Sequence, residues 1–392
     1  MEKKLFKDYY PNDSEVLFNI QTKLMKLYKS LNYKYIEPSS FLELNKQQIF
    51  EQDKSFKFIH PNGKIYSLRT EYTLQVSNIV SNLMKDEDSI SVFYLGKAYQ
   101  FLVDNAGELN EYIQAGIERF DNKYNIYSDI QVIAIAIESL KSLGISKFKI
   151  DIGDVTFFKG LANEMEIDET NSETLCRLID RKDYIGIENF LMKLGLKQNI
   201  IERFSKLTRL YAQDNIFKEA RKFSKSPICK ESIEKLEEIY LNLEKLGYKE
   251  YISIDFGLLK HLNYYTGIIF SGYLNELGYP VLSGGRYDNL CSTFGKKYYA
   301  VGFAIGVDRI LEVMLKNKKK NIIEKYYKAI AYDNNSFAEA FLEFKKNKSN
   351  TFLFNTPITI EEAIKSSGYM NVKRLLYFEN GIKKSIELGE NK

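Results

Sequence analysis

The sequence predicts an α+β fold on a mostly antiparallel sheet, and three observations lead there. Segments with strand periodicity dominate the first 150 residues and return near residue 250, with helices between them but no regular βαβ alternation. From about 158 to 248 the strand signal disappears and helical spacing takes over, which reads as a helical insertion in a core spanning 1–320. Beyond the lysine-rich stretch at 316–320, residues 325–392 repeat a compact strand–helix order of their own and read as a small C-terminal α/β domain.

In chain order, residues 12–31 place Val16, Leu17, Ile20, Leu24, Leu27, Tyr28 and Leu31 at helical spacing, with Asn12 and Glu15 as a capping pair. "YKYIEP" (33–38) reads as a strand ended by Pro38, and further strands are expected near 56–59, 64–68 and 90–95. Residues 98–118, "AYQFLVDNAGELNEYIQAGIE", contain no lysine or arginine and read as two strands around an acidic turn carrying Asp104 and Glu108. A capped helix at 128–144 stops at Gly144, and "KFKIDIG" (147–153) is a strand. Within the insertion the clearest helix is 230–246, with Ile233, Leu236, Ile239, Tyr240, Leu243 and Leu246 on one face. Strands are expected again at 251–256, 264–272 and 279–282, and "GFAIGVDRILEVML" (302–315) passes from a strand end into a helix. The last unit reads as strand 327–332, helix 336–346, strand 351–354, helix 360–367, and strands 372–378 and 382–388.

Composition removes several kinds of function. Fifty-six basic and 52 acidic residues leave a net charge of +4, without the clustered excess of a protein that grips a long nucleic acid. Only His60 and His261 are available, which argues against a zinc centre or histidine-based nucleophilic catalysis. Cys176, Cys229 and Cys291 are scattered and odd in number, as expected of free thiols in a reducing cytoplasm. No long apolar run predicts a membrane span, and neither G-x-x-x-x-G-K nor G-x-G-x-x-G occurs. The expectation is therefore no metal and no cofactor.

Side chains two apart on a strand share a face, so "EYIQAGIER" sets Tyr112, Gln114, Gly116 and Glu118 together and turns Ile113, Ala115 and Ile117 to the core. "LRTEYTL", read as a strand, groups Arg69, Glu71 and Thr73 in the same way. "LKHLNYYTG" and "SGGRYDNL" add aromatic and polar groups beside glycines, where a ligand can approach the backbone closely. Residue chemistry alone reaches a possible pocket for a small cationic or amphoteric ligand, while solvated strand faces and turns are the commoner account of each segment taken singly.

Taken in order, "YKYIEP", "VFYLGKAYQF … NEYIQAGIE" and "VGFAIGVDRI" resemble the three motifs of class II aminoacyl-tRNA synthetases, and "LNYYTG" with "GGRYDNL" resembles the histidyl-tRNA synthetase family. The resemblance covers roughly residues 5–315 and implies a class II synthetase-like core. It implies histidine-binding roles for Glu71, Thr73 and Gln114 (the α-amino group), Glu118 and Tyr265 (the imidazole) and Tyr287 (the pocket wall). The adenylation apparatus departs from the family: Gln100 and Leu102 stand where an arginine and a glutamate are expected, Lys260 replaces a second arginine, and Asn263 replaces an aspartate. A neutral amide cannot neutralise the α-phosphate of ATP, and losing one such donor costs roughly a hundred- to a thousandfold in rate. Arg309 is retained, so Lys260 and Arg309 are left as candidate contacts for an anion or residual nucleotide.

An intact histidine pocket beside a broken adenylation site is similar to the family of ATP phosphoribosyltransferase regulatory subunits. That resemblance implies a non-catalytic chain, a self-dimer through the first-motif region, and a hetero-octamer with the short-form catalytic subunit. It further implies L-histidine as effector, no tRNA, and a place in the first step of histidine biosynthesis. The alternatives are an active histidyl-tRNA synthetase, or a synthetase-derived RNA-binding or scaffold module.

Overall fold

The computed structural model describes residues 5–43, 54–84, 89–101, 109–212, 215–260, 264–317, 327–346, 350–369 and 372–388. The acidic turn with Asp104 and Glu108, and Leu102, His261 and Asn263, lie outside the described residues, as do 318–326 of the lysine-rich linker. The chain forms two compact units, Met1–Lys318 and Lys319–Lys392.

The larger unit opens with helix α1 (Pro11–Ser30), which buries Val16, Ile20, Leu24 and Tyr28. Its start corrects the expected Asn12–Glu15 capping pair: Pro11 occupies the first turn, where its missing N–H costs nothing, and Tyr10 is the cap residue without a side-chain bond. Strand β1 is only Lys34–Tyr35, because the chain turns away at Pro38. Three short strands, β2 (Phe41–Glu43), β3 (Lys57–Ile59) and β4 (Ile65–Leu68), pair antiparallel in the order β2-β4-β3. Residues 69–73 do not continue β4 as a strand. The Glu71 carboxylate accepts from the backbone N–H groups of Thr73 and Leu74 (2.8 Å to Leu74) and starts helix α2 (Thr73–Leu83). A carboxylate at a helix N-terminus satisfies orphan donors and meets the positive end of the dipole, and this overrides the strand-like alternation of the segment.

The central sheet adds β5 (Ile90–Tyr99), β6 (Glu111–Asp121), β7 (Phe148–Asp154), β8 (Ile252–Ile254), β9 (Ile268–Leu274), β10 (Leu282–Arg286) and β11 (Tyr299–Gly306). Its order is β1-β5-β6-β11-β10-β9-β7-β8, antiparallel except for the parallel pairs β1–β5 and β7–β8 at its two edges. Strands β9 and β10 begin later than expected, at Ile268 and Leu282.

Helix α3 (Ile126–Ser142) is capped by Asn125, whose side chain accepts from the Tyr127 N–H, so it starts ahead of the expected Ser128. Between β7 and β8 every described element is helical or a turn: α4 (Val155–Glu164), α5 (Glu169–Asp180), α6 (Tyr184–Lys193), α7 (Gln198–Leu207), α8 (Ile216–Ala220) and α9 (Pro227–Lys245). On α9 Ile233, Leu236, Ile239 and Leu243 are buried as expected, whereas Leu246 lies past its end and is exposed. Short α10 (Asn289–Ser292) follows β10, and α11 (Val307–Lys316) follows β11 directly.

Helices α1, α3, α9 and α11 pack on one another and on the sheet. Phe93 and Phe303, opposite Ile117 on its two neighbouring strands, meet Tyr28 of α1 at 5.7 and 6.4 Å between ring centroids. Ile113, Ala115 and Ile117 are accordingly buried. The side chain of Glu118 therefore lies on the opposite face, where α2 and α10 pack around Val76, Val92, Tyr94, Phe120, Tyr287 and Cys291.

The smaller unit contains β12 (Lys328–Tyr332), α12 (Phe337–Lys346), β13 (Thr351–Leu353), α13 (Ile360–Tyr369), β14 (Arg374–Glu379) and β15 (Ile382–Glu387). Its sheet order is β13-β12-β14-β15, parallel except for the final hairpin. Asn380 and Gly381 turn that hairpin with positive φ, the backbone an Asn-Gly turn supplies at little cost.

Candidate functional site

Three strands and a helix end build the floor of the site. On β6, Gln114 faces Gly96 of β5 and Gly306 of β11 across the sheet, while Glu118 faces Val92 and Gly302. A Cβ at Gly302 would fall on the Glu118 Oε2, so only glycine leaves that carboxyl its place. Gly116 plays the same part for the Tyr94 hydroxyl.

Glu118 is 1% exposed and held by three hydroxyls. Thr73 Oγ1 donates to its Oε1 at 2.9 Å, Tyr94 Oη donates to the same oxygen at 3.3 Å, and Tyr287 Oη donates to Oε2. Burial raises its pKa to about 8, only partly opposed by those hydrogen bonds, and the nearby Glu71 pushes the same way. Burial therefore favours the protonated form of this carboxyl, whereas an arriving cation or strong N–H donor favours the ionised form. Burial, with Glu118 and Glu71 nearby, also holds the Tyr265 phenol protonated, well above its ordinary range.

Thr73, Glu118, Tyr265 and Tyr287 line one cavity of about 850 Å³ with Glu71, Gln114, Lys260 and Arg309, so all eight site residues expected from the sequence meet in one place. Gln114 lines the cavity, and its Oε1 is buried without a hydrogen-bond partner among the described residues. Glu71 faces the cavity while its oxygens cap α2. Arg286, between Gly285 and Tyr287, is not a pocket group. Its Nε donates to Asp129 of α3 at 3.0 Å and its Nη1 to Asp288 at 3.1 Å, which anchors the segment carrying Tyr287.

Several pocket groups were not anticipated. Tyr264 lines the cavity and packs edge-on against Tyr265, with ring centroids 4.9 Å apart, while Tyr94, behind the lining, reaches Glu118 from β5. Helix α5 contributes Glu173, Cys176, Arg177 and Asp180 to the cavity wall. Period-two reading of "VFYLGK" could have pointed to Tyr94, but nothing local in 169–180 announces a wall for a pocket built from distant strands.

Gln100, also in the cavity lining, donates its backbone N–H to the Asn110 carbonyl at 2.9 Å and presents a neutral amide, with Nε2 3.4 Å from the Thr70 carbonyl. Lys260 Nζ donates to Ser271 Oγ at 3.1 Å, and its pKa is lowered by burial and by the neighbouring Arg309. The Arg309 guanidinium lies 5.0 Å from the Tyr279 ring centroid and donates to the Pro280 carbonyl.

A family profile described as histidyl-tRNA synthetase matches residues 5–310. The curated "ATP phosphoribosyltransferase regulatory subunit" of Thermoanaerobacter sp. is 33% identical over 336 residues, covering 85% of this chain and 88% of that protein. Its counterpart in Bacillus thuringiensis is 30% identical over 380 residues, 91% of this chain and 90% of that one. The chain belongs to the family of ATP phosphoribosyltransferase regulatory subunits. A crystal structure described as an ATP phosphoribosyltransferase regulatory subunit/histidyl-tRNA synthetase, from Bacillus halodurans C, superposes with a TM-score of 0.79 at 25% identity over 97% of this chain and 98% of that one. Histidyl-tRNA synthetase from Nostoc sp. PCC 7120 shares the fold at the same TM-score, 0.79, with 17% identity over 97% of this chain and 95% of that chain. Regulatory subunits of this family and histidyl-tRNA synthetases thus share a class II fold, and in this chain the uncharged Gln100 lines the same cavity as Lys260 and Arg309.

Proposed function

We propose that this chain is the non-catalytic regulatory subunit of ATP phosphoribosyltransferase. In this reading it joins the short-form catalytic subunit in a cytoplasmic hetero-octamer, is required for that subunit's activity, and makes the first step of histidine biosynthesis sensitive to L-histidine. Family membership supports the partnership. The observation that supports the sensing role is the cavity lining, where the buried Glu118 carboxyl and the Tyr265 and Tyr287 phenols are joined by Gln114, whose Oε1 has no partner among the described residues.

Histidine fits that chemistry from both ends. Its ammonium would meet Glu71, Thr73 and Gln114, and its imidazole would lie between Glu118 and Tyr265. A buried charge-assisted hydrogen bond contributes about 1.5–3 kcal/mol, so a few such bonds support micromolar affinity. Lys260 and Arg309 remain for the carboxylate or another anion, while Gln100 offers nothing to offset the charge of a reacting phosphate. The chain then binds histidine without activating it, and no tRNA is engaged.

Reconstituting the chain with the catalytic subunit and measuring phosphoribosyl transfer against L-histidine tests this reading. Inhibition by histidine, lost on Glu118→Ala while activation of the catalytic subunit persists, is the expected outcome. Full inhibition in the Glu118→Ala complex would contradict the site assignment. Histidine-dependent pyrophosphate exchange into ATP by the chain alone would contradict its non-catalytic role.

A further inference from the structure

Arg69 is 3% exposed, yet among the described residues no carboxylate lies closer to its guanidinium than Glu37, at 4.0 Å. Its donors go to backbone and hydroxyl oxygens: Nε to the Lys97 carbonyl at 2.8 Å, Nη1 to the Pro38 carbonyl at 2.8 Å, and Nη2 to Ser40 Oγ at 3.2 Å. Its own backbone N–H donates to the Ser40 carbonyl at 3.0 Å, and Gln75 Nε2 donates to the Ser39 carbonyl at 2.7 Å. Arg69 therefore fastens the segment between β1 and β2 to strand β5.

The same guanidinium lies 4.0 Å from the centroid of the Tyr72 ring. Tyr72 stacks on Tyr94 with centroids 4.3 Å apart and planes 2° from parallel, and the Tyr94 hydroxyl donates to Glu118. The Tyr72 hydroxyl is buried without a partner among the described residues, packed against Gly96, so this ring is held for its faces and not for its polar tip. Arg69, Tyr72, Tyr94 and Glu118 form one contiguous buried column from the Pro38–Ser40 segment to the pocket carboxyl. A cation against one ring face and a second ring on the other fixes both tilt and height, which a hydrophobic packing residue would not.

We propose that Arg69 is a positioning residue of the pocket: through the Tyr72–Tyr94 stack it sets the place of Glu118, and through its backbone contacts it makes the Pro38–Ser40 segment respond to the ligand. The inference rests on the histidine reading of the cavity. It places the response beside β1, the edge strand of the central sheet, so pocket occupancy is reported at a surface that neighbouring subunits can reach.

The experiment uses the full chain and its Arg69→Lys, Tyr72→Leu, Tyr94→Phe and Glu118→Gln forms, each checked for cooperative unfolding. Calorimetry would compare L-histidine with its two ring-N-methylated forms, and hydrogen exchange would follow the amides of 36–41 with and without L-histidine. Loss of one hydrogen bond's worth of placement corresponds to a roughly 3- to 10-fold weaker affinity. The three column variants should each show that loss, a narrower preference for L-histidine over the methylated forms, and no ligand-induced protection at 36–41. A purely structural role would leave the preference and the protection intact. If Arg69→Lys does not fold, Tyr72→Leu and Tyr94→Phe decide the matter. Folded column variants with unchanged preference and protection would overturn the inference alone, provided Glu118→Gln weakens binding. An inert Glu118→Gln would overturn the histidine reading and this inference together.

Discussion

Glu118 concentrates the chemistry of the pocket in one carboxyl group. Its pKa is raised by burial to about 8, so its contribution to stability is fully present below the ordinary glutamate range and is lost as pH rises through 8. Ligand-free protein should therefore lose stability between about pH 5 and 9, by an amount on the order of a few kcal/mol. Glu118→Gln should flatten that loss, as read from thermal unfolding across the range. Asp129 and Asp255, both raised to about 6 by burial, titrate in the same direction, so the difference between the two proteins isolates Glu118. If the protein does not lose stability above pH 7, or if Glu118→Gln leaves the profile unchanged, Glu118 is ionised in the free state. Glu118 and Gln114 were legible because alternation over 112–118 of β6 is strict and Ile113, Ala115 and Ile117 turn to the apolar side. Arg69 was not, because "LRTEYTL" alternates equally well while Glu71 bends it into a helix start.

At the scale of elements, the buried pair Arg286–Asp129 joins β10 to α3 and holds the strand end that presents Tyr287. Both partners are nearly inaccessible, with side-chain exposures of 4% and 1%, so removing one strands the other's charge in a dry setting. Arg286→Ala should cost about 3–5 kcal/mol in denaturant unfolding, and a joint Arg286→Met, Asp129→Leu replacement should recover much of it. A loss below about 1 kcal/mol would mean that Asp129 relaxes or protonates freely. The C-terminal elements were readable almost to the residue, because amphipathic helices alternate there with short apolar strands. Helix α2 was not: "TLQVSNIVSNL" is rich in β-branched and small polar residues, and its helicity is set by the Glu71 cap and by burial of Val76 and Val80.

On the scale of the whole molecule, the sequence made the synthetase-like core legible through five ordered segments, but not the full wall of its cavity. The wall residues of α5 come from the helical stretch between β7 and β8, far in sequence from β5, β6 and β10, and proximity of that kind leaves no local pattern. The account as a whole stands on L-histidine occupying the cavity. Titration calorimetry of the purified chain with L-histidine, with D-histidine and lysine as controls and then with the catalytic subunit present, tests it most directly. Saturable, L-selective binding that is abolished by Glu118→Ala is the predicted result. Absence of L-histidine binding both alone and in the complex, or binding indifferent to Glu118→Ala, would contradict the account.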